Sequence, residues 1–298
     1  MRRVGVVIIL LVGCGVAVAG EAVSEVNAKF DYLGGSMDSS EGHNGAGTFT
    51  APLATNWGIQ VDGRFTDVAD TDFTGGGVHL FWRDWDKGMV GFAASTVHAD
   101  HVDAFQWGLE GEYYLDKVTL AARAGIADLE YSGGSRPFID TDVRKFFVGT
   151  EVRGYLLDDL MVSGAWDHLF YNNLLTARFE YLTPIQGLSV LGELARGDHG
   201  YDHALLGLRF HLGVNKPLKL RHRQDYVPNS VGRTLYAIGT YGAEYIDAQR
   251  DYIEALGGTP SDSSGSMDVD VQYYTGGVSI KLVSATASEF TAGAGDSE

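Results

Sequence analysis

Residues 105–126 read FQWGLEGEYYLDKVTLAARAGI. Phe105, Trp107, Leu109, Gly111, Tyr113 and Leu115 are apolar or small, and every second residue belongs to this set. After Asp116-Lys117 the alternation resumes with Val118, Leu120, Ala122, Ala124 and Ile126. A period of two on either side of a short polar pair is a β-hairpin. With Leu115 opposite Val118, Glu110 lies opposite Arg123, so one face is apolar and the other is expected to carry an ion pair. In a soluble sheet the apolar face is buried. In a membrane barrel it meets lipid, and the charges line the interior. The rest of the chain has to decide between these.

Similar alternation recurs in the segments around Val26–Tyr32, Thr48–Ala51, Trp57–Phe65, Val78–Arg83, Val148–Arg153, Leu175–Tyr181 and Ala204–Leu212. With weaker segments at 88–97, 160–169 and 188–195, the pattern predicts twelve antiparallel strands between residues 25 and 212. The connections fall into two kinds. Those near 53–56, 84–87, 116–117, 157–159 and 183–187 are short. Those at 34–44, 66–73, 98–103, 130–142, 169–173 and 196–203 are longer and more polar. Short turns on one rim and longer loops on the other is the outer-membrane pattern, and a soluble sandwich has no reason to segregate its loops so. Strands of about 9–11 residues cross a bilayer at the usual tilt. Aromatic residues fall near strand ends: Trp57, Trp82, Tyr113, Tyr181 and Phe210 on the short-turn side, Tyr32, Phe65, Phe105 and Phe146 on the other. The predicted fold is therefore all-β, a transmembrane antiparallel β-barrel in an outer membrane.

The chain opens MRRVGVVIILLVGCGVAVAGEAV, a basic start, an apolar run and a small-x-small site at Ala17–Ala19. Residues 1–19 read as a secretory signal peptide. Leu11–Cys14 also fits a lipobox, which makes Cys14 an alternative lipidation site. Cys14 is the single cysteine, so no disulfide framework is expected. The formal net charge of −17 argues against nucleic acid as a partner. The abundant glycine, 40 residues against 6 prolines, suits a β chain. Composition also rejects disorder, since 45% of residues are hydrophobic.

After Leu212 the alternation ends. Residues 213–298 are expected to form a periplasmic extension, with a short amphipathic helix over 243–256. The basic cluster Lys216, Lys219, Arg221, His222 and Arg223 reads as a solvated linker, the alternative being a plug folded into the barrel mouth. Two stretches match an outer-membrane closing-strand signal: Gly207, Phe210 and Leu212 in part, and Thr275, Gly277, Ile280 and Leu282 fully. The second match keeps a fourteen-strand barrel as the alternative to twelve.

The runs NWGIQVDGRF (56–65), GGGVHLFWRD (75–84) and GLEGEYYL (108–115), with RFHLG (209–213) and LKLRHRQD (218–225), resemble porin-like outer-membrane β-barrel proteins of Gram-negative bacteria. The resemblance covers roughly residues 25–225. It implies a fold and a location, and no substrate or catalytic residue. Outer-membrane lipid and the outer-membrane assembly machinery, which reads the closing-strand signal, are the expected partners, and no cofactor is expected.

If the apolar face points to lipid, the lumen is lined by Lys29, Asp31, Asp62, Arg64, His79, Arg83, Glu110, Glu112, Arg123, Glu151, Arg153, Arg178, Glu180, Glu193 and Arg209, with Gln60 among them. Both signs occur, so these groups either pair across strands or face water. The expected function is passive diffusion of ions or small solutes through a charged lumen, without cofactor and without covalent chemistry. The alternative is a structural or surface-binding barrel with a closed lumen. Histidines with neighbouring carboxylates gather near the long-loop rim, in His98, Asp100, His101 and Asp103 and again in Asp198, His199, Asp202 and His203. They are weak metal candidates, because their spacing matches no fixed ligand set. Asp84-Trp85-Asp86 resembles a protease carboxylate pair but reads as a turn.

Overall fold

The computed structural model describes residues 22–38, 40–68, 71–99, 102–131, 142–170, 172–229, 231–236, 238, 268–274 and 277–283. Twelve strands make one closed antiparallel barrel. They are β1 (Asn27–Met37), β2 (Ser40–Ala54), β3 (Trp57–Val68), β4 (Thr71–Asp84), β5 (Gly88–Ala99), β6 (Val102–Tyr114), β7 (Val118–Tyr131), β8 (Asp142–Leu157), β9 (Leu160–Leu169), β10 (Asn172–Leu182), β11 (Leu188–Gly197) and β12 (Asp202–Leu212). Each strand pairs with its sequence neighbours, and β1 pairs with β12 from Ala28↔Leu212 to Met37↔His203, which removes both sheet edges.

Closure at β12 overturns the fourteen-strand alternative. Segments β13 (Asp268–Tyr274) and β14 (Gly277–Val283) pair with each other as a separate two-stranded sheet. The predicted helix at 243–256, the signal segment and Cys14 lie outside the described residues.

The opening hairpin has the expected register. Leu115 N–H donates to Val118 C=O at 2.8 Å, and Glu110 stands opposite Arg123. Phe105, Trp107, Leu109 and Tyr113 are exposed on the outside, while Gln106 and Glu112 are buried inside. The same division holds around the barrel, with Phe30, Phe49, Val61, Leu80, Phe92, Leu120, Val152, Leu175, Leu194 and Leu208 all turned outward. The predicted girdle aromatics are exposed too, apart from the half-buried Trp82.

The long-loop side differs from expectation. Strands run further than predicted: β1 reaches Met37 before β2 begins at Ser40, and β3 reaches Val68 before β4 begins at Thr71. The polar residues there keep pairing across strands, as in Ser36↔Glu41 and Asp67↔Asp72. Backbone N–H and C=O groups pair across strands irrespective of side-chain polarity, so these hairpins extend past the apolar band.

The interior is filled. Apolar side chains pack in a lower layer of Ala22, Val23, Phe81, Met89, Tyr114 and Val227, near the short turns. A larger upper cluster includes Leu33, Met37, Val97, Leu129, Val143, Phe147, Leu169 and Tyr201 from the wall. It also includes Val231, Leu235, Tyr236 and Ile238, which belong to the segment following the barrel.

Candidate functional site: a charged lumen and its resident segment

Alternation along each strand sends the charged set inward, and register then determines who meets whom. Asp31 stands opposite Arg209, whose Nε and Nη2 donate to its two carboxylate oxygens at 2.6 and 2.8 Å. Arg209 also donates to Glu180. Arg178 stands opposite Glu193 and pairs with it. Arg153 donates to Glu112 at 2.6 Å across the intervening β7 and lies 3.4 Å from Glu151. His79 bridges Glu110 at 2.8 Å and Asp62 at 3.0 Å, an arrangement that needs a proton on each ring nitrogen or on one carboxyl. Lys29, Gln60, Arg64 and Arg83 also turn inward.

The opening hairpin corrects one expectation. Glu110 and Arg123 are cross-strand neighbours, yet Glu110 engages His79 while Arg123 donates to Asp167 at 2.8 and 3.1 Å. Asp167 precedes His168 close to the long-connection end of β9. Its parity with Met161, Ser163 and Ala165 on β9 turns it into the lumen, and that alternation was the signal available for it.

A second correction concerns the basic cluster. It is no solvated linker: Arg221, His222 and Arg223 are buried. The helix α1 (Leu218–Gln224) starts after Pro217, whose fixed φ suits the entrance to a helix, and it ends at Asp225. Lys216 Nζ reaches Asp225 at 2.6 Å, and Arg221 lies 3.9 Å from the same carboxylate. Burial of these cations is made tolerable by nearby acceptors. Arg223 Nη2 donates to the carbonyls of Leu115, Asp116 and Val118 at the β6–β7 turn. His222 faces Tyr155 Oη at 3.1 Å and Glu180 at 3.3 Å. Burial pushes the His222 imidazole below its ordinary range, opposed by the Glu180 carboxylate.

Beyond α1 the chain continues inside the barrel. Tyr226 lies under the Lys29 ammonium, 3.9 Å from ring centre to Nζ, and its carbonyl accepts from Arg83 at 3.0 Å. Val227 and Gln60 exchange two hydrogen bonds, at 2.8 and 3.0 Å, as two paired backbones would. Residues 231–236 are helical. Arg233 donates to Glu151 at 2.7 Å and lies 3.6 Å from Asp167. Tyr236 Oη accepts from Arg64 at 2.8 Å, and its ring packs 4.4 Å from that of His203. A Cβ on Gly75 of β4 would collide with Val231 and with the Thr96 carbonyl of β5, so glycine is needed there, while one on Gly232 would displace the Arg64 guanidinium.

A cavity of about 140 Å³ remains between segment and wall, bordered by Lys29, Asp31, Arg178, Glu180 and Arg209. Another of about 30 Å³ lies beside Glu110, Arg123 and Arg233.

The rim candidates do not converge. His98 Nδ1 lies 2.6 Å from Asp103, both exposed. Asp100 and His101 lie outside the described residues. Asp198 accepts from the backbone and side chain of Asn173. His203 turns inward to Glu193 at 3.0 Å, while Asp202 and His199 are exposed. Among the described residues no group of three or more His, Cys, Asp or Glu forms a metal site. Asp84 accepts from the Asp86 amide and from Lys87, which makes Asp84–Lys87 a turn.

A closed, even-stranded antiparallel barrel with an apolar outside, aromatic residues toward its rims and a charged inside is a transmembrane barrel of the outer-membrane type. Sequence comparison matches no protein-family model and no curated protein. Among solved structures, the chain is similar to KdgM porin in complex with disordered oligogalacturonate, at 11% identity over 61% of this chain and 98% of that one, with a TM-score of 0.48. It is similar to NanC porin at 10% identity over 62% and 98%, TM-score 0.42. It is also similar to the Acinetobacter baumannii outer membrane protein Omp33 at 12% over 62% and 98%, TM-score 0.40. The barrel itself is read from this chain's own strand pairing.

Proposed function

We propose that this protein is a passive outer-membrane channel for ions or small solutes whose lumen is held closed by its own C-terminal segment, residues 213–238. The observation that carries this reading is the pairing of lumen wall with segment: Gln60, Arg64, Arg83, Glu151 and Glu180 all engage residues of 221–236. With the segment in place the lumen is packed. With it displaced, the same wall groups would line a polar passage and take water as their partner. Twelve strands make a barrel wider than the eight-strand kind that side chains fill alone, so an additional segment is needed to occupy the middle. Nothing in this scheme calls for covalent chemistry. The charged wall would select solutes by field rather than by a shaped pocket.

The test is planar-bilayer conductance of full-length protein against the variant Arg233→Met with Gly232→Leu. The wild type is expected to be mostly closed, and the variant to increase the open fraction at least about tenfold, equivalent to about 1.4 kcal/mol. Folded, heat-modifiable protein that conducts in neither form would defeat the channel and leave the closed structural barrel.

A further inference from the structure

Contacts of the resident segment rise in order along the barrel wall. At the short-turn rim, Leu218 packs with Tyr155, Met161 and Leu182, and Lys219 N–H donates to Asp158 C=O in the β8–β9 turn. Val227 then meets Gln60, near the start of β3. Val231 and Leu235 join the upper cluster, where Met37, Val143, Leu169, Phe170 and Tyr201 all lie beside the long-connection rim. One strand records the climb directly. On β12, His211 stacks on Tyr226 with ring centres 6.0 Å apart, while His203 packs on Tyr236 at 4.4 Å. From His211 to His203 is roughly 26 Å of strand at about 3.3 Å per residue. Strand tilt of about 35–45° reduces that to about 20 Å along the barrel axis, which residues 226–236 cover with an extended start at about 3.4 Å per residue and a helical end at about 1.5 Å per residue. The segment does not fold back within its described length: Ile238 is buried in the upper cluster with Tyr236.

We infer that the C-terminal region is threaded through its own barrel, entering at the short-turn rim and leaving at the long-connection rim. The chain beyond Ile238 is therefore delivered to the same side of the membrane as the β7–β8 connection, residues 132–141. This replaces the periplasmic extension expected from strand counting, which tracks the direction of β12 but has no means of seeing a segment re-enter the lumen. The inference rests on the transmembrane-barrel reading and is independent of whether the barrel conducts. With the short turns in the periplasm, that side is the cell surface.

The experiment compares three epitope positions in the full-length protein expressed in cells: after Glu298, within 132–141, and between Asp116 and Lys117. Antibody labels intact cells, then permeabilised cells, and blots of denatured protein confirm that each tag is present. Labelling of the Glu298 tag that matches the 132–141 tag supports threading. A Glu298 tag that instead matches the 116–117 tag overturns it. A second measurement asks whether the segment occupies the lumen in the membrane. The pair Ser95→Cys with Thr234→Cys, whose hydroxyl oxygens lie 3.5 Å apart between wall and segment, is expected to form an intramolecular disulfide, seen as a reduction-sensitive mobility shift. Its absence in folded, heat-modifiable protein under oxidising conditions would also overturn the proposal. Conductance of the Arg233→Met, Gly232→Leu variant is scored separately, so a silent barrel with a surface-exposed C-terminus defeats the channel and leaves threading intact.

Discussion

Arg233, carried on the segment that follows the barrel, donates to Glu151 of β8 at 2.7 Å and stands 3.6 Å from Asp167 of β9. Both carboxylates are also served from the wall, Glu151 by Arg153 and Arg178 and Asp167 by Arg123. The wall thus keeps partners for its acids when the segment leaves, whereas Arg233 draws both of these carboxylates from the wall. Removing one partner of a buried pair leaves the other charge uncompensated, and the redundancy lowers that cost. Arg233→Met is therefore expected to weaken docking of the segment by about 1–2 kcal/mol while leaving the barrel folded. Protease sensitivity near residues 226–236 should increase about five- to thirtyfold with unchanged heat-modifiability. Glu151→Gln should do more damage, because it leaves Arg153, Arg178 and Arg233 sharing one fewer anion.

Gly75 and Gly232 give a steric version of the same experiment. Each lies where a Cβ would overlap a neighbour across the gap between wall and segment. Gly75→Leu is predicted to exclude Val231 from its seat and displace the segment without touching any charge, and because its Cβ also crowds the Thr96 carbonyl of β5, unchanged heat-modifiability is required beside it. Opening by Gly75→Leu that equals opening by Arg233→Met would make occupancy of the lumen the controlling variable. If only the charge variant opened, the field of the lumen would be in control.

Acid is expected to loosen the segment. His222 faces Glu180 of β10 and Tyr155 of β8, with Tyr226 of its own segment beside it. Arg153 and Arg209 act on it from the wall. Its folded value lies below the ordinary imidazole range, chiefly through burial. The released segment consequently binds more protons than the docked one as pH falls. Docking is fully stable above about pH 6.5, the unperturbed value, and is lost progressively as pH drops from there toward the folded value. Open probability should increase between about pH 7 and 5. His222→Gln should flatten that increase, and an unchanged profile in the variant would assign it to other groups.

The outside of the barrel was legible because alternation is strict where lipid and lumen impose opposite demands on adjacent residues. Leu109 and Glu110 state that rule in two letters, and register follows from the turn between Leu115 and Val118. Pairing inside was less legible. Glu110 and Arg123 are neighbours by register, but an arginine reaches across a strand, and Asp167 holds it in a better geometry. The upper interior was not legible at all. Met37, Val97 and Leu129 are apolar yet inward, because the segment covering them is itself apolar there. That segment has no period to betray it: Tyr226, Val227, Val231, Arg233 and Tyr236 each answer a different wall residue. Its basic character was visible in Arg221, His222 and Arg223, but net charge alone does not distinguish a solvated linker from a plug.

The lipid-facing surface can be tested at Leu109, which is 70% exposed at the middle of β6. On a soluble protein, Leu109→Arg would change stability by no more than about 0.5 kcal/mol, since an exposed apolar side chain contributes little. On a barrel in a bilayer the same change sets a guanidinium against hydrocarbon and costs about 2–4 kcal/mol near the midplane. Leu212→Arg, at the short-turn end of β12, should cost about 0–1 kcal/mol because the side chain reaches the interface. Reversible urea unfolding from lipid vesicles measures both. A gradient from Leu109 to Leu212 is the expected result. Equal and negligible costs at the two positions would mean that this face meets water and that the barrel does not sit in a bilayer.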